Sequence, residues 1–431
     1  MRLFSTNHKS APVSFKKAVL NGLAGDGGLF MPETLPEMSG DFLDGLYGRT
    51  LAEIACDVFR TLLRDEFPEG ELQKIVEEVF TFDAPLVKLN DRLHVLELFH
   101  GPTLAFKDFG ARTMAAIMAR YAGQSTGDIS ILTATSGDTG AAVGQGFSGA
   151  EGIRVYVLYP KGKVSELQEK QFTTLGGNIT ALEVEGNFDD CQRMVKAAFA
   201  DPELSRRLNL TTANSINIAR LLPQMIYYMY AVAQLDRGHK PVVFSVPSGN
   251  FGNLTAGLMA FKMGLPVRRF IAATNQNNSV PRYLAGENFV AVPSLESISN
   301  AMDVGNPSNF ARMLELFEGQ KTSLQAVVSG AYYSDEETRS AIREAYDRFG
   351  YTFDPHGAVA FAGYRDWREG GSLQSEGIVL ATAHPAKFPA TVEQVTGHDI
   401  PVPEQLSGLS QKKKLAVPLK NNYEALRACL S

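Results

Sequence analysis

The chain has 431 residues, with 47 Asp and Glu against 41 Lys and Arg and a formal net charge of −6. That length allows one or two large domains, and mild acidity without a basic block argues against nucleic acid as the main partner. Three cysteines (Cys56, Cys191 and Cys429) stand far apart with no CxxC pair, which excludes a disulfide scaffold and a cysteine zinc site and fits a reducing, cytoplasmic setting. Hydrophobic residues at 44% and charged ones at 20% describe an ordinary globular chain. The start, MRLFSTNHKS, has neither an apolar run of signal-peptide length nor an arginine-rich leader. The most apolar long stretch, Leu221–Leu235, is interrupted by Pro223, Gln224 and Gln234 and is too short to span a bilayer. A cytoplasmic soluble protein with no membrane partner is expected.

Residues 1–90 read as a mainly helical N-terminal domain, with helices over Thr50–Leu63 and Glu71–Phe80 and loop clusters at Gly25–Phe30 and Leu35–Met38. From there short β-branched runs alternate with helical patterns. Strands are predicted at His94–Phe99, Ile129–Thr133, Ile153–Leu158, Thr180–Val184, Val242–Val246, Phe270–Thr274 and Ile378–Thr382. Most are continuously apolar, as strands buried on both faces should be. Helices are predicted over Asp108–Tyr121, Thr139–Phe147, Val164–Leu175, Phe188–Ala200, Ile216–Leu235 and Leu254–Met263. This alternation implies βαβ units, hence parallel sheets wrapped by helices, and so many strands imply two α/β lobes. Ligands of such folds bind at the carboxyl ends of strands, here expected in the cleft between lobes. The expected division is 1–90, then 91–402 with a smaller movable lobe over 125–235, then a tail, 403–431, whose Lys412–Lys414 cluster reads as a solvated face.

Four turns before helices are rich in Gly, Ser, Thr and Asn: His100–Gly110, Thr135–Gly140, Asn214–Asn217 and Ser248–Asn253. Turns of this kind aim backbone N–H groups and a helix N-terminus at an anion, so several together suggest a ligand with several negative groups. The string Gly144–Gly149 matches GxGxxG but lies inside a helix rather than directly after a strand, and Gly252–Gly257 has Leu258 where a phosphate-binding loop needs lysine. Neither implies a nucleotide. No two of the seven histidines pair at i,i+4 or within HExxH, so no metal site is expected. Lys107 sits between Phe106 and Phe109 at a helix start, where its charge opposes the dipole; a partly buried amine suits Schiff-base chemistry with a carbonyl, although from position alone a lysine snorkelling past apolar surface is the commoner explanation.

The stretch ELFHGPTLAFKDFGARTMA (97–115) resembles the cofactor-lysine segment of threonine synthases. So do ILTATSGDTGAAV, LYPKGKVSELQEKQ, TTANSINIARLLPQ, SVPSGNFGNLTAGL, FIAATNQN, SNAMDVGNPSNF and TAHPAKFP, in the expected order, and residues 13–38 look like that family's N-terminal domain. The resemblance, closest to the longer bacterial and fungal form, implies the two-lobed pyridoxal-phosphate fold shared with the tryptophan synthase β-subunit (fold type II). Its parallel sheets are flanked by helices and preceded by a mainly helical N-terminal domain. It further implies a lyase that converts O-phospho-L-homoserine and water to L-threonine and phosphate by γ-elimination and β-addition of water, the last step of threonine biosynthesis. By the resemblance Lys107 carries the cofactor, Gly249, Asn250, Phe251, Gly252 and Asn253 hold its phosphate, and Thr382 faces its ring nitrogen. Thr135, Ser136, Gly137, Asp138 and Thr139 match the turn at the substrate carboxylate, and Asn214, Ser215 and Arg220 the substrate-phosphate site. A small-molecule partner is thus expected, with the chain a monomer or homodimer. The rival reading on the same scaffold is a phospholyase or a serine/threonine dehydratase that yields 2-oxobutanoate. No motif is matched after Val402, and no function is expected there.

Overall fold

The computed structural model of the protein describes residues 1–123, 127–238, 240–370 and 374–430. In chain order the strands are β1 (Arg2–Ser5), β2 (Val13–Ser14), β3 (Phe30–Pro32), β4 (Leu86–Asn90), β5 (Leu93–Glu97), β6 (Ile129–Ala134) and β7 (Ile153–Pro160). Then come β8 (Ile179–Val184), β9 (Leu210–Thr211), β10 (Val242–Pro247), β11 (Val267–Thr274), β12 (Val328–Tyr332), β13 (Glu376–Ala381) and β14 (Ala416–Leu419). Contacts divide the chain into two compact units. One holds Met1, Pro32–Phe106 and Leu221–Pro401; the other holds Arg2–Met31, Lys107–Arg220 and Val402–Ser431.

The first unit is built on a six-stranded sheet in the order β12-β11-β10-β13-β5-β4. All its pairings are parallel except the β4–β5 hairpin. Strand β10 is buried along its whole length, which is why its sequence, VVFSVP, shows no polar alternation. The helix Pro355–Glu369 packs against β10, β11 and β13 and can approach closely because small residues line the contact. A Cβ on Gly363 would stand 3.2 Å from the Ala273 Cβ, and one on Gly377 would stand 2.1 Å from the Tyr364 ring. The apolar stretch 221–235 contains the helix Gln224–Ala233, every residue of which is buried. Among the described residues no helix is long and apolar enough to cross a membrane.

The second unit carries a wholly parallel five-stranded sheet, β14-β8-β7-β6-β9. Its core joins Leu132, Leu158 and Leu182 from the strands to Cys191, Met194 and Leu426 from helices. The helix Lys107–Ala122 packs on Asp138–Phe147, closest at Gly146, where a Cβ would lie 3.3 Å from the Ala111 carbonyl carbon. Gly144 faces Leu175 and Phe172 in the same way, so the first two glycines of the GxGxxG string are packing contacts inside a helix, while Gly149 lies beyond its end in a left-handed turn.

The seven predicted strands are all present, with ends within a few residues, and the fold class is the expected one: parallel sheets flanked by helices. Three expectations are corrected. The single helix over Ile216–Leu235 is two, Ile218–Leu221 and Gln224–Ala233, separated at Leu222 and Pro223, because proline has no N–H to continue the ladder. The N-terminal stretch, though mainly helical, also forms the small sheet β2-β1-β3. The Lys412–Lys414 cluster is only partly a solvated face: Lys412 and Lys413 are exposed, whereas Lys414 pairs with both Glu169 and Glu183.

The approach of Tyr364 to β13 leaves no space for a methyl group. Gly377→Ala is therefore expected to cost about 1–3 kcal/mol of folding stability, read as a lower urea midpoint with unchanged m-value.

Candidate active site

In the first unit β10 ends in the turn Ser248–Asn253, and the helix Gly252–Lys262 follows. The Ser248 N–H donates to the Ala273 carbonyl at 2.8 Å, which carries the turn away from the sheet edge. Gly249 is obligatory: a Cβ there would sit 2.6 Å from the Ala301 carbonyl oxygen and 2.8 Å from the Met302 Cα. Phe251 is left-handed at φ 59°, a conformation that costs a non-glycine residue about 1–2 kcal/mol. It is held there by burial of its ring and by Thr255, whose N–H and hydroxyl donate to the Phe251 carbonyl at 2.9 and 2.7 Å. The N-cap residue Phe251 offers no side-chain acceptor. One first-turn amide, the Leu254 N–H, donates to the Asn253 side-chain oxygen at 3.0 Å, and the positive end of the helix is suited to an anion.

Neighbouring segments fix the turn further. The Asn250 side-chain oxygen accepts from the Ser308 N–H at 2.6 Å, and the Asn250 carbonyl accepts from the Asn309 amide at 2.9 Å. Arg312, wholly buried, donates to Asn309 at 2.8 Å; burial pushes its guanidinium down to about 9. The Tyr228 hydroxyl donates to the Asn253 carbonyl at 2.9 Å. Thr382 follows β13, and because β13 runs parallel beside β10, with Ser245 opposite Val379, the turn and Thr382 leave the same edge of the sheet. The Thr382 carbonyl accepts from the Phe106 N–H at 2.9 Å and the Leu104 carbonyl from the His384 N–H at 3.1 Å. The fully buried Lys387 ammonium donates to the Thr103 carbonyl at 2.9 Å. The segment leading into Lys107 is thus tied on three sides to residues 382–387.

In the second unit Lys107, half-buried, opens the helix Lys107–Ala122. Asp108 beside it is buried and faces Arg220, whose guanidinium is pushed down to about 10 by burial while Asp108 opposes the shift. Arg220 therefore keeps its charge at neutral pH. It also donates to the Ala213 carbonyl and lies over Gly110, where a Cβ would meet the Arg220 Nε at 2.9 Å. In the turn after β6 the Thr135 hydroxyl accepts from the Gly137 and Gly140 N–H groups at 2.9 and 2.7 Å. Gly137 has φ 141°, a conformation open to glycine, and abuts the Gln168 side chain; Gln168 in turn donates to the buried Asp138 at 2.8 Å. Ser136 and Thr139 complete this turn. Asn214 belongs with it: its side-chain oxygen accepts from the Thr133 hydroxyl at 3.0 Å, and its amide donates to the Ala134 carbonyl at 2.8 Å. Ser215 follows directly. The structure thus ties Asn214 to Thr133 and Ala134, at the end of β6 that leads into residues 135–139, and brings Arg220 together with the first turn of the Lys107 helix.

Several residues around these turns drew no assignment from the sequence. Gln168 lies in a motif quoted above, as do Asn309, Asn275 and Asp303, but no single-residue signal marks them. Asp303 accepts from the Ser297 hydroxyl at 2.7 Å and the Asn275 amide at 2.8 Å, yet burial outweighs these bonds and pushes its carboxyl up to about 7. Asp354 and His356 form a buried pair at 2.5 Å. Among the described residues no cluster of ligands could hold a metal ion. The cysteines are unpaired, and burial pushes Cys191 up to about 12, so its thiol is inert at neutral pH.

In the first unit, an open βα fold with a helix start lacking an N-cap side chain and a glycine under backbone contact fits a ligand bearing a phosphate; in the second, a half-buried lysine at a helix start suits a carbonyl partner. The family model of pyridoxal-phosphate dependent enzymes matches residues 81–383, which places the chain in that class. The models for the threonine synthase N terminus and C-terminal part match residues 2–80 and 357–430. A threonine synthase of Haemophilus influenzae is 47% identical over 431 residues, covering 100% of this chain and 99% of its own. The crystal structure of threonine synthase from Escherichia coli superposes with a TM-score of 0.94 at 44% identity, covering 100% of this chain and 99% of that one. The PLP-bound threonine synthase of Brucella melitensis gives 0.92 at 35% identity, covering 100% and 98%. The chain belongs to the threonine synthase family. Its cofactor is pyridoxal 5'-phosphate, and its tail, which carried no expected motif, lies within the family's C-terminal part.

The Asp303 carboxyl sits above its ordinary value of 3.8, so folding takes up a proton over the intervening range. Its contribution to stability is complete below pH 4 and is lost as pH rises through about 7. The unfolding free energy of the wild type should fall with pH across that window by up to about 1.4 kcal/mol per unit relative to Asp303→Asn, measured by urea titration at several pH values.

Proposed function

We propose that this chain converts O-phospho-L-homoserine and water to L-threonine and phosphate. The observation that carries the reading is full-length kinship: three family models, two of them of threonine synthases, run in order from residue 2 to residue 430. Residues 1–90 are then the N-terminal domain, 91–402 the cofactor-binding part and 403–431 the tail. The substrate is a small molecule carrying a carboxylate and a phosphate, and the chain acts on it as a monomer or homodimer in the cytoplasm.

When bound, pyridoxal phosphate supplies an electron sink that makes the protons at the substrate Cα and Cβ removable. The Lys107 Nζ would hold the cofactor at its carbonyl carbon and, once free, would take the proton from the substrate Cα. The amides of Gly249, Asn250, Phe251, Gly252 and Asn253 take the cofactor phosphate, and the Thr382 hydroxyl faces the ring nitrogen. In support, the N-cap of the helix at Gly252 supplies no side-chain acceptor, so its first amides and dipole favour an anion.

Thr135, Ser136, Gly137, Asp138 and Thr139 hold the substrate near its carboxylate. The Thr135 hydroxyl shapes that turn by accepting two of its amides. Asn214, Ser215 and Arg220 take the substrate phosphate, with Arg220 supplying a charge that burial does not remove at neutral pH. A Cβ proton leaves as phosphate departs from Cγ, Cγ is then protonated, water adds its hydroxyl at Cβ, and Cα takes back a proton. Release of the amino acid before that addition would give 2-oxobutanoate, so these residues must also retain the substrate until water has added.

Incubation with O-phospho-L-homoserine should yield threonine and phosphate in equal amounts with little 2-oxobutanoate; a predominance of the keto acid would overturn the assignment. Lys107→Ala should lose the visible absorbance of the bound cofactor and reduce threonine formation about 10³-fold or more, and turnover retained by that variant would equally rule it out.

A further inference from the structure

Behind the turn at Gly249 lies a buried pair that the reaction does not use. Asp354 caps the helix Pro355–Glu369: its carboxylate accepts from the Gly357 and His356 N–H groups, both at 3.0 Å. The same carboxylate lies 2.5 Å from the His356 Nδ1. On its other side the His356 Nε2 is 3.1 Å from the Ala301 backbone nitrogen. An amide N–H can only donate, so Nε2 is the unprotonated nitrogen and Nδ1 carries the proton that goes to Asp354. The ring is wedged edge-on against Phe388 at 5.1 Å and only 3% exposed, which fixes its plane. Ala301 is thereby held by its N–H, while its carbonyl oxygen stands 2.6 Å from where a Gly249 Cβ would be. Asp354, His356, Ala301 and Gly249 form one continuous contact path.

We propose that His356, oriented by Asp354, is a positioning residue for the cofactor phosphate, acting through Ala301 on the turn at Gly249, on the reading that residues 249–253 hold that phosphate. Without an acceptor at Nε2 the part-buried Ala301 N–H loses its partner, Ala301 loses the anchor on its amino side, and its carbonyl, in the next peptide, is free to shift away from Gly249. The amides of the turn then lose their common aim. The effect is confined to ligands that bear a phosphate, which separates positioning from a general loss of structure.

The test compares the full-length apoprotein titrated with pyridoxal 5'-phosphate and with pyridoxal, followed by absorbance. His356→Leu, which cannot accept, should weaken pyridoxal phosphate about tenfold and leave pyridoxal unchanged. His356→Gln, whose side-chain oxygen can stand near the Nε2 position, should restore most of the phosphate preference. If the Leu variant shows no cooperative melt, His356→Asn takes its place, being polar but too short to reach the Ala301 N–H. Equal weakening of both ligands, or no weakening of either, overturns the proposal. Gly249→Ala serves as reference: if it too leaves the phosphate preference intact, the assignment of the turn falls and the proposal with it. If it removes the preference while the His356 variants do not, the proposal alone falls.

Discussion

A parallel strand buried on both faces must leave its sheet through a turn whose amides have no strand to pair with. The turns after β6 and β10 answer this constraint differently. After β6, Thr135 turns its hydroxyl back and accepts two of the amides, so part of the donor capacity is spent internally and the turn is stiffened. After β10, the N-cap Phe251 supplies no side-chain acceptor, and its left-handed backbone keeps the chain there from relaxing into an ordinary cap. A helix start of this kind favours an anion, and the packing around both turns keeps them in shape.

That packing relies on buried charge. Arg312 behind Asn309, Arg220 beside Asp108, and Lys387 under Thr103 are each removed from water and each held by an oxygen of the chain. Such groups are expensive to bury, and apolar residues of similar size often serve stability as well. Their placement suggests a different use. Each supports a segment that leads directly into a turn or into Lys107, and a directional hydrogen bond fixes a backbone carbonyl more narrowly than a methyl contact does. Asp108 offsets part of the effect of burial on Arg220. With a net charge of −6, the chain as a whole does not draw in an anion; local amides and fixed cations have to.

Much of this was legible in the sequence. The strands ISILTA and VVFSVP announce themselves as continuous apolar runs, and the glycine-rich turns follow them directly. What remained hidden depends on contacts far apart in the chain. Strand β14 contains Pro418 and only four residues, which suits a sheet edge but carries no periodic signal. Strand β12, VSGAY, has a glycine at its centre and alternates weakly. Helix Pro355–Glu369 is buried through most of its length, so no polar face marks its period. Asp354 and His356 look like a cap and a stray ring until the fold brings Ala301 against them.

The glycines show why a string of letters and a site differ. Gly144 and Gly146 fit a phosphate-binding pattern, yet what crowds them is Leu175, Phe172 and the backbone of a neighbouring helix, so they are small to let helices meet. Gly249 fits no dinucleotide pattern, and what crowds it is a carbonyl oxygen and a Cα, so it is small to let one backbone lie on another. Side chains can shift to admit a methyl group; backbone held by a buried histidine and an aspartate cannot. The second kind of glycine transmits the geometry of its neighbours to the amides beside it, and that transmission ties the chemistry of the turn to residues that never touch a ligand.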